Sequence, residues 1–190
     1  MANPRIISGT VKGMRLQGVP GDSTRPVTDR VKEAVFNIIG RDIEGASMFD
    51  LFGGTGSIGI EALSRGASYV RFSDANKNAY NTIQNNLRLT HFEKQSKVFF
   101  GDVFNLLKSI PDREFEYIYV APPQYKGMWQ KTMMILDKND GWLTDDGWII
   151  VQIHPIERED LTLESYTCFD ERKYGSTTLL FYERKVTDPE

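Results

Sequence analysis

The feature that most constrains this chain of 190 residues is a glycine loop set between an apolar run and a helix-forming run, Phe49-Asp50-Leu51-Phe52-Gly53-Gly54-Thr55-Gly56-Ser57-Ile58-Gly59. Spacing of the form G-x-G-x-x-G, after a strand and opening a helix, lets a ligand approach the backbone in a βα unit. The rest of the chain supports that setting. Strand patterns at 47–52, 69–73, 97–100, 116–120 and 147–153 alternate with helical patterns near 57–65, 76–89, 104–109 and 128–137. Such alternation predicts a mostly parallel sheet with helices on both faces. Two closing runs, Leu163 to Phe169 and Thr177 to Tyr182, flank a turn at Lys173-Tyr174-Gly175-Ser176. They predict an antiparallel hairpin at the sheet edge, which makes seven strands in all. Upstream, Arg5-Ile6-Ile7-Ser8 and Met14-Arg15-Leu16 around Gly9 and Gly13 predict an N-terminal β-hairpin. Val31, Ala34, Val35 and Ile38 then give a helix one apolar face, ending at Gly40. In the 76–89 helix Tyr80, Ile83 and Leu87 supply the buried stripe, with Asn76 as N-cap. Lys185 to Glu190 reads as a loose tail.

The glycine pattern alone serves dinucleotides as readily as other nucleoside cofactors; the acids around it discriminate. Asp50 ends the first strand, where it would repel a docking pyrophosphate but attract the ammonium and sulfonium of S-adenosylmethionine. Asp74 lies 18 residues beyond Gly56, close to the ~20-residue offset at which an acid holds ribose hydroxyls. Gly101-Asp102 ends the third strand, where a carboxylate can accept from the adenine amino group. Asp50 or Asp102 taken singly could cap a helix and the glycines could form a plain turn, but acids at three consecutive strand ends favour the cofactor. The expected cofactor residues are Asp50, Phe52, Gly53, Gly54, Thr55, Gly56, Asp74, Ala75, Asp102 and Val103.

A chain with 40% apolar residues can bury one full core. No apolar run approaches the ~18 to 20 residues of a membrane span, and the start Met1-Ala2-Asn3-Pro4-Arg5 lacks a secretory signal. Cys168 is the single cysteine, which excludes an intramolecular disulfide, and nothing in the sequence resembles a zinc cluster. These features predict a cytoplasmic protein, monomeric, with no membrane association and no metal. A net charge of -3 argues against indiscriminate coating of nucleic acid. The charge is uneven, however. Residues 1–32 hold six cations (Arg5, Lys12, Arg15, Arg25, Arg30, Lys32) against Asp22 and Asp29, a local +4 that leaves -7 for the remainder. An anionic partner would meet this segment first, although an ordinary solvated surface can look the same.

At the end of the fourth strand stands Ala121-Pro122-Pro123-Gln124-Tyr125. The segment resembles the loop of the amino-methyltransferases, Asp/Asn/Ser-Pro-Pro-aromatic. An exocyclic amino group of a base is a poor nucleophile because its lone pair is delocalised into the ring. In that family the loop's side chain and the first proline's carbonyl accept the two amino hydrogens, so that the lone pair points at the methyl group from ~3 to 3.5 Å. The aromatic residue stacks on the base turned out into the pocket.

Nearly the whole chain, Arg5 to about Lys185, is similar to the RsmD-type small-subunit ribosomal RNA guanine-N2 methyltransferases. The shared stretches are Arg5-Ile6-Ile7-Ser8-Gly9, Lys12-Gly13, Thr24 to Asn37, Asp50 to Gly56 and Glu61 to Ala67. Thr24-Arg25-Pro26 is the most specific, since generic methyltransferases lack it. The resemblance implies a Rossmann-like α/β methyltransferase fold, a compact single domain in which residues 1–40 form an RNA-facing extension and 41–185 the methyltransferase domain. It implies S-adenosylmethionine as cofactor and small-subunit ribosomal RNA, or the assembling small subunit, as partner. It assigns the reaction loop to Ala121, Pro122, Pro123, Gln124 and Tyr125. RNA phosphate contacts at Arg15, Arg25, Arg30 and Lys32 are expected from charge and location.

The chain departs from the family where chemistry is done. Ala121 stands where the family has a hydrogen-bonding side chain, Gln124 where it has the stacking ring, and Val151-Gln152 where it has Val-Glu. Tyr125 is a candidate to stack one residue late, and the Pro122 carbonyl, Gln124 and Gln152 to hold an amino group. Three readings therefore stand: an active guanine methyltransferase, a protein that binds cofactor and ribosomal RNA without methyl transfer, and a methylase shifted to another base or to DNA adenine. His91 and His154 are too far apart in sequence to suggest a metal pair or a triad, and His154 is either a substrate contact or an incidental surface residue. Trp129, Trp142 and Trp148 read as packing residues, with Trp129 at the edge of the reaction loop.

Overall fold

The computed structural model describes residues 3–21 and 26–186. Seven strands form one mixed sheet in the order β3-β2-β1-β4-β5-β7-β6, mostly parallel with an antiparallel edge. The chain divides into two compact units, Met1–Val103 and Phe104–Glu190.

In the first unit β1 (Ser47–Asp50), β2 (Tyr69–Asp74) and β3 (Ser96–Phe100) run parallel, with Asp50 opposite Phe72 and Asp74 opposite Phe100. β1 stops at Asp50 rather than at Phe52, because Leu51 already turns out of the ladder, its carbonyl accepting from the Ser73 hydroxyl at 2.6 Å. α1 (Asp29–Ile39) starts at Thr28, whose Oγ1 accepts from the Val31 amide. Its buried face is Val31, Lys32, Val35, Phe36 and Ile39, rotated from the expected stripe so that Ala34 and Ile38 are only half-buried. α2 (Ser57–Ser64) is buried at all 8 positions. α3 (Lys77–Thr90) is capped by Asn76 as expected, its Oδ1 accepting from Asn78 and Ala79. The α3 stripe runs through Ala79, Ile83 and Leu87 with the polar Thr82, Asn86 and Thr90. Tyr80 is half-buried instead, and its ring meets Phe100 at 5.4 Å.

The expected N-terminal hairpin is present but short: Arg5 pairs antiparallel with Arg15, Ile6 donates to the Met14 carbonyl at 2.9 Å and Leu16 to the Pro4 carbonyl at 2.7 Å. The reason lies in where the remaining amides go. Ile7 and Ser8 donate to the Glu61 carboxylate of α2, and Thr10 donates to the Ser64 carbonyl, so this backbone docks on a helix instead of extending a ladder.

In the second unit α4 (Val103–Lys108, starting at the boundary) precedes β4 (Phe115–Val120), α5 (Met128–Lys138) and β5 (Leu143–Ile153). β5 starts four residues before the expected 147. Thr144-Asp145-Asp146-Gly147 is absorbed as an irregularity in the register with β4, between the Phe115–Leu143 and Tyr117–Trp148 pairs. β6 (Tyr166–Tyr174) and β7 (Thr177–Arg184) form the edge hairpin, joined by the two residues Gly175-Ser176. β7 also pairs antiparallel with β5. Trp129 and Trp142 are core residues, and the Trp142 indole donates to the Leu107 carbonyl at 3.1 Å. Trp148 packs edge-on against Tyr117 and Phe181. No helix among the described residues is long and apolar enough to cross a membrane.

Candidate functional site

The glycine loop is held by backbone hydrogen bonds on both sides. Gly53 donates to the Ser73 carbonyl at 2.9 Å, and Gly56 closes a tight turn onto the Gly53 carbonyl at 2.8 Å. The Gly54 amide donates to Asp74 Oδ2 at 2.9 Å while Asp74 Oδ1 accepts from Asn76 at 2.8 Å. Asp74 thus ties the glycine loop to the start of α3. Gly54 has a left-handed φ of 57°, and no atom lies within 4 Å of where a side chain would stand, so a ligand can reach its backbone. A second tie comes from Asn86, which is fully buried and donates to the Thr55 carbonyl at 2.8 Å and to the Gln17 carbonyl at 3.1 Å. Its Oδ1 accepts from the Gln17 amide at 2.8 Å, which joins the N-terminal segment to the loop.

Asp50, at the end of β1, is 2% exposed. Burial pushes its carboxyl up to about 7; the Gly59 backbone N–H draws it back down, and the Asp74 charge adds to the rise. A carboxylate so placed gains most from an arriving cation. Asp74 is half-buried, and after accepting two amides an ionised carboxylate keeps free lone pairs for hydroxyl donors. Asp102 is exposed just beyond β3, between Gly101 and the buried Val103; Phe52, Gly53 and Thr55 are half-buried, and Ala75 is exposed. The three acids thus follow the carboxyl ends of three adjacent parallel strands of one unit. An approachable glycine backbone, a buried carboxyl and two more accessible ones fit a cationic nucleoside such as S-adenosylmethionine.

In the second unit Ala121 and Pro122 follow β4 half-buried, while Pro123, Gln124 and Tyr125 are exposed. Tyr125 has φ 61°, a left-handed backbone that residues other than glycine rarely adopt. Its amide donates to Glu157 Oε1 at 2.8 Å, and its ring centroid lies 5.6 Å from that of His154. Gln152, on β5, is one step beyond the last β4–β5 register pair, Val120 with Val151. Its Oε1 accepts a hydrogen bond from the Tyr119 hydroxyl. Among the described residues no cluster of His, Cys, Asp and Glu could hold a metal ion.

The basic N-terminal residues separate into two groups. Arg15 and Arg30 are exposed, and Arg25 lies outside the described residues. Lys32 is fully buried and does not reach a surface where phosphate could meet it. Its ammonium donates to the Arg5 carbonyl and to Ser57 Oγ at 2.8 Å, and lies 3.5 Å from Glu61 Oε2. Burial lowers its pKa, against which the Glu61 charge raises it. The rotated face of α1 puts Lys32 there, which a stripe centred on Ala34 and Ile38 does not foresee.

Glu61, Asn86 and Glu157 escaped the sequence reading. Glu61 and Asn86 left a signal: each is a polar residue in the apolar run or stripe of its helix, where a buried partner is required. Glu157 left none.

Comparison with known proteins agrees with these features. The family model described as Conserved hypothetical protein 95 matches residues 4–183. YlbH of Bacillus subtilis (strain 168) is 37% identical over 184 residues, which cover 95% of this chain and 99% of that protein. The Ribosomal RNA small subunit methyltransferase D of Haemophilus influenzae is 30% identical over 181 residues, 94% of this chain and 93% of that protein. The solved structure of yhhF from Escherichia coli superposes with a TM-score of 0.84 at 29% identity, covering 97% of this chain and 99% of that one. With residues 4–183 matched by the family model and nearly its full length covered by both relatives, the chain belongs to the RsmD-type methyltransferase family.

Proposed function

We propose that this protein is a cytoplasmic S-adenosylmethionine-dependent methyltransferase acting on the exocyclic amino group of a guanine in small-subunit ribosomal RNA. The observation that carries this reading is the set of three carboxylates at the ends of adjacent parallel strands, Asp50 buried and Asp74 accepting from the Gly54 amide. Its support from relatives is the ribosomal RNA methyltransferase name of the Haemophilus influenzae protein.

Asp50 would face the cationic end of the cofactor, Asp74 the ribose hydroxyls and Asp102 the adenine amino group. When bound, the cofactor supplies an electrophilic methyl on a sulfonium. The Pro122 carbonyl would accept one amino hydrogen of the base and orient its lone pair. Tyr125 would stack on the base in place of the family's aromatic residue. Residues 1–40 would serve as the RNA-facing extension, with Arg15, Arg25 and Arg30 on phosphates and Lys32 holding that extension from within.

A second reading, a protein that binds cofactor and RNA without transfer, is favoured by one observation. The Ala121 side chain offers no acceptor, and the Gln152 carbonyl already accepts from Tyr119. Transfer of radiolabelled methyl to small ribosomal subunits lacking the modification separates the two. Label on a guanine amino group is the expected result. Cofactor bound in calorimetry with no label on the RNA would sink the enzyme reading and leave the second.

A further inference from the structure

The reaction loop is held by a residue outside any motif. Glu157 closes the 3₁₀ turn Pro155–Glu157 that follows β5, 32 residues from Tyr125 in sequence. Each of its carboxylate oxygens accepts one backbone amide: Oε1 from Tyr125 at 2.8 Å and Oε2 from His154 at 3.2 Å. His154 Nδ1 accepts in turn from the Ile156 amide at 3.2 Å. The two rings stand 5.6 Å apart at 49°, and Tyr125 is 63% exposed. A left-handed backbone at a tyrosine persists only where its surroundings fix it. Here the fixing contact is the charge-assisted bond to Glu157.

We infer that Glu157 is the positioning residue of the 121–125 loop, holding the Tyr125 and His154 rings side by side as the stacking surface for a nucleobase. The inference rests on the nucleic-acid substrate proposed above. It accounts for how a loop with Gln124 in the usual stacking place still presents a ring, one residue late. A ring fixed before binding loses no freedom when a base arrives, and removing such a platform typically weakens binding roughly tenfold.

The test is a binding cycle on the full chain with a short, fluorescently labelled single-stranded RNA containing guanine, read by anisotropy. Tyr125→Ala and Glu157→Ala are each expected to weaken binding about tenfold, and the double variant to lose much less than the product of the two. Glu157→Gln, which keeps one acceptor for Tyr125 but faces the His154 amide with a donor if so oriented, should fall between wild type and Glu157→Ala. It also decides the matter if Glu157→Ala melts early. In steady-state transfer, Glu157→Gln should raise KM for RNA and leave KM for S-adenosylmethionine unchanged. Losses that multiply in the double variant would overturn the inference, as would a folded Glu157→Gln with wild-type affinity or a wild-type protein that ignores the oligonucleotide. A coupled cycle in a protein that transfers no methyl would leave the positioning role standing and remove only the enzyme reading. Methyl transfer with an uncoupled cycle would do the reverse.

Discussion

Asp50 is the residue whose chemistry reaches furthest from its place in the chain. Its acid type and its position before the glycines are legible in the sequence; its burial, and hence a carboxyl raised to about 7, follows only from packing. Below that pH the folded protein holds Asp50 protonated, and a cationic cofactor must displace the proton. Affinity for S-adenosylmethionine should therefore rise as pH increases through about 7 and level off above it. By the same linkage, stability of the ligand-free protein should fall as pH rises from the ordinary value of 3.8 towards 7, because there the folded state binds more protons than the unfolded one. Asp50→Asn should flatten both profiles; calorimetry showing the same pH slope in wild type and variant would refute the assignment. Ala121 makes the converse case, a departure legible in sequence whose consequence only an assay can give. Restoring an acceptor with Ala121→Asp should raise methyl transfer, by up to on the order of 10²-fold for one regained hydrogen bond to developing charge. Cofactor affinity should stay unchanged, and no gain in rate would mean that Ala121 is not what limits the reaction. Glu157 could not be read from sequence at all, since no periodicity links it to a tyrosine on another loop.

Elements were legible where a period repeats and obscure where backbone amides find side-chain partners. The alternation of strands and helices follows from apolar spacing, and the edge hairpin from its turn residues. The N-terminal hairpin stays short because the amides of Ile7 and Ser8 go to a carboxylate on α2. That carboxylate, Glu61, is fully buried in a helix with no exposed position; it also accepts from Arg65 Nε at 2.9 Å and lies by the Lys32 ammonium. It is the joint between the N-terminal segment, α1 and the helix that follows the glycine loop. Removing one partner of a buried pair leaves the other charge uncompensated, so Glu61→Ala should destabilise the protein by about 3 to 5 kcal/mol in urea unfolding. A loss under about 1 kcal/mol, the scale of an exposed ion pair, would mean that the joint is solvated. Gly9 marks how close the docking is. A side chain there would stand 1.8 Å from the Ser64 carbonyl oxygen, a backbone atom that cannot swing aside. Gly9→Ala should release the segment, and faster amide exchange at Ile7 and Ser8 would report it.

For the whole molecule the proposed function raises the question of how a chain of net charge -3 would attract RNA. The sequence puts six of its 23 lysines and arginines in the first 32 residues, for a local charge of +4, but that number overstates the surface available to phosphate. Lys32 is internal, and Arg5 is bound to Asp29 at 2.7 Å in an exposed pair. Arg15 and Arg30 are the described arginines of the expected set that remain on the surface. Each phosphate contact releases condensed counterions, so the slope of log affinity against log salt counts contacts. Substituting Arg15 or Arg30 by Ala should weaken RNA binding at low salt and shallow the slope by roughly 0.7 to 0.9 per contact removed. Lys32→Met should leave the slope unchanged, because its ammonium is satisfied by Arg5, Ser57 and Glu61. Its cost should appear in stability instead. If Lys32→Met shallowed the slope as much as Arg15→Ala, with both proteins folded, the N-terminal segment would have to lift from α2 when RNA binds. A wild-type slope in all three variants would place the phosphate contacts elsewhere and remove the N-terminal segment from the RNA-binding surface.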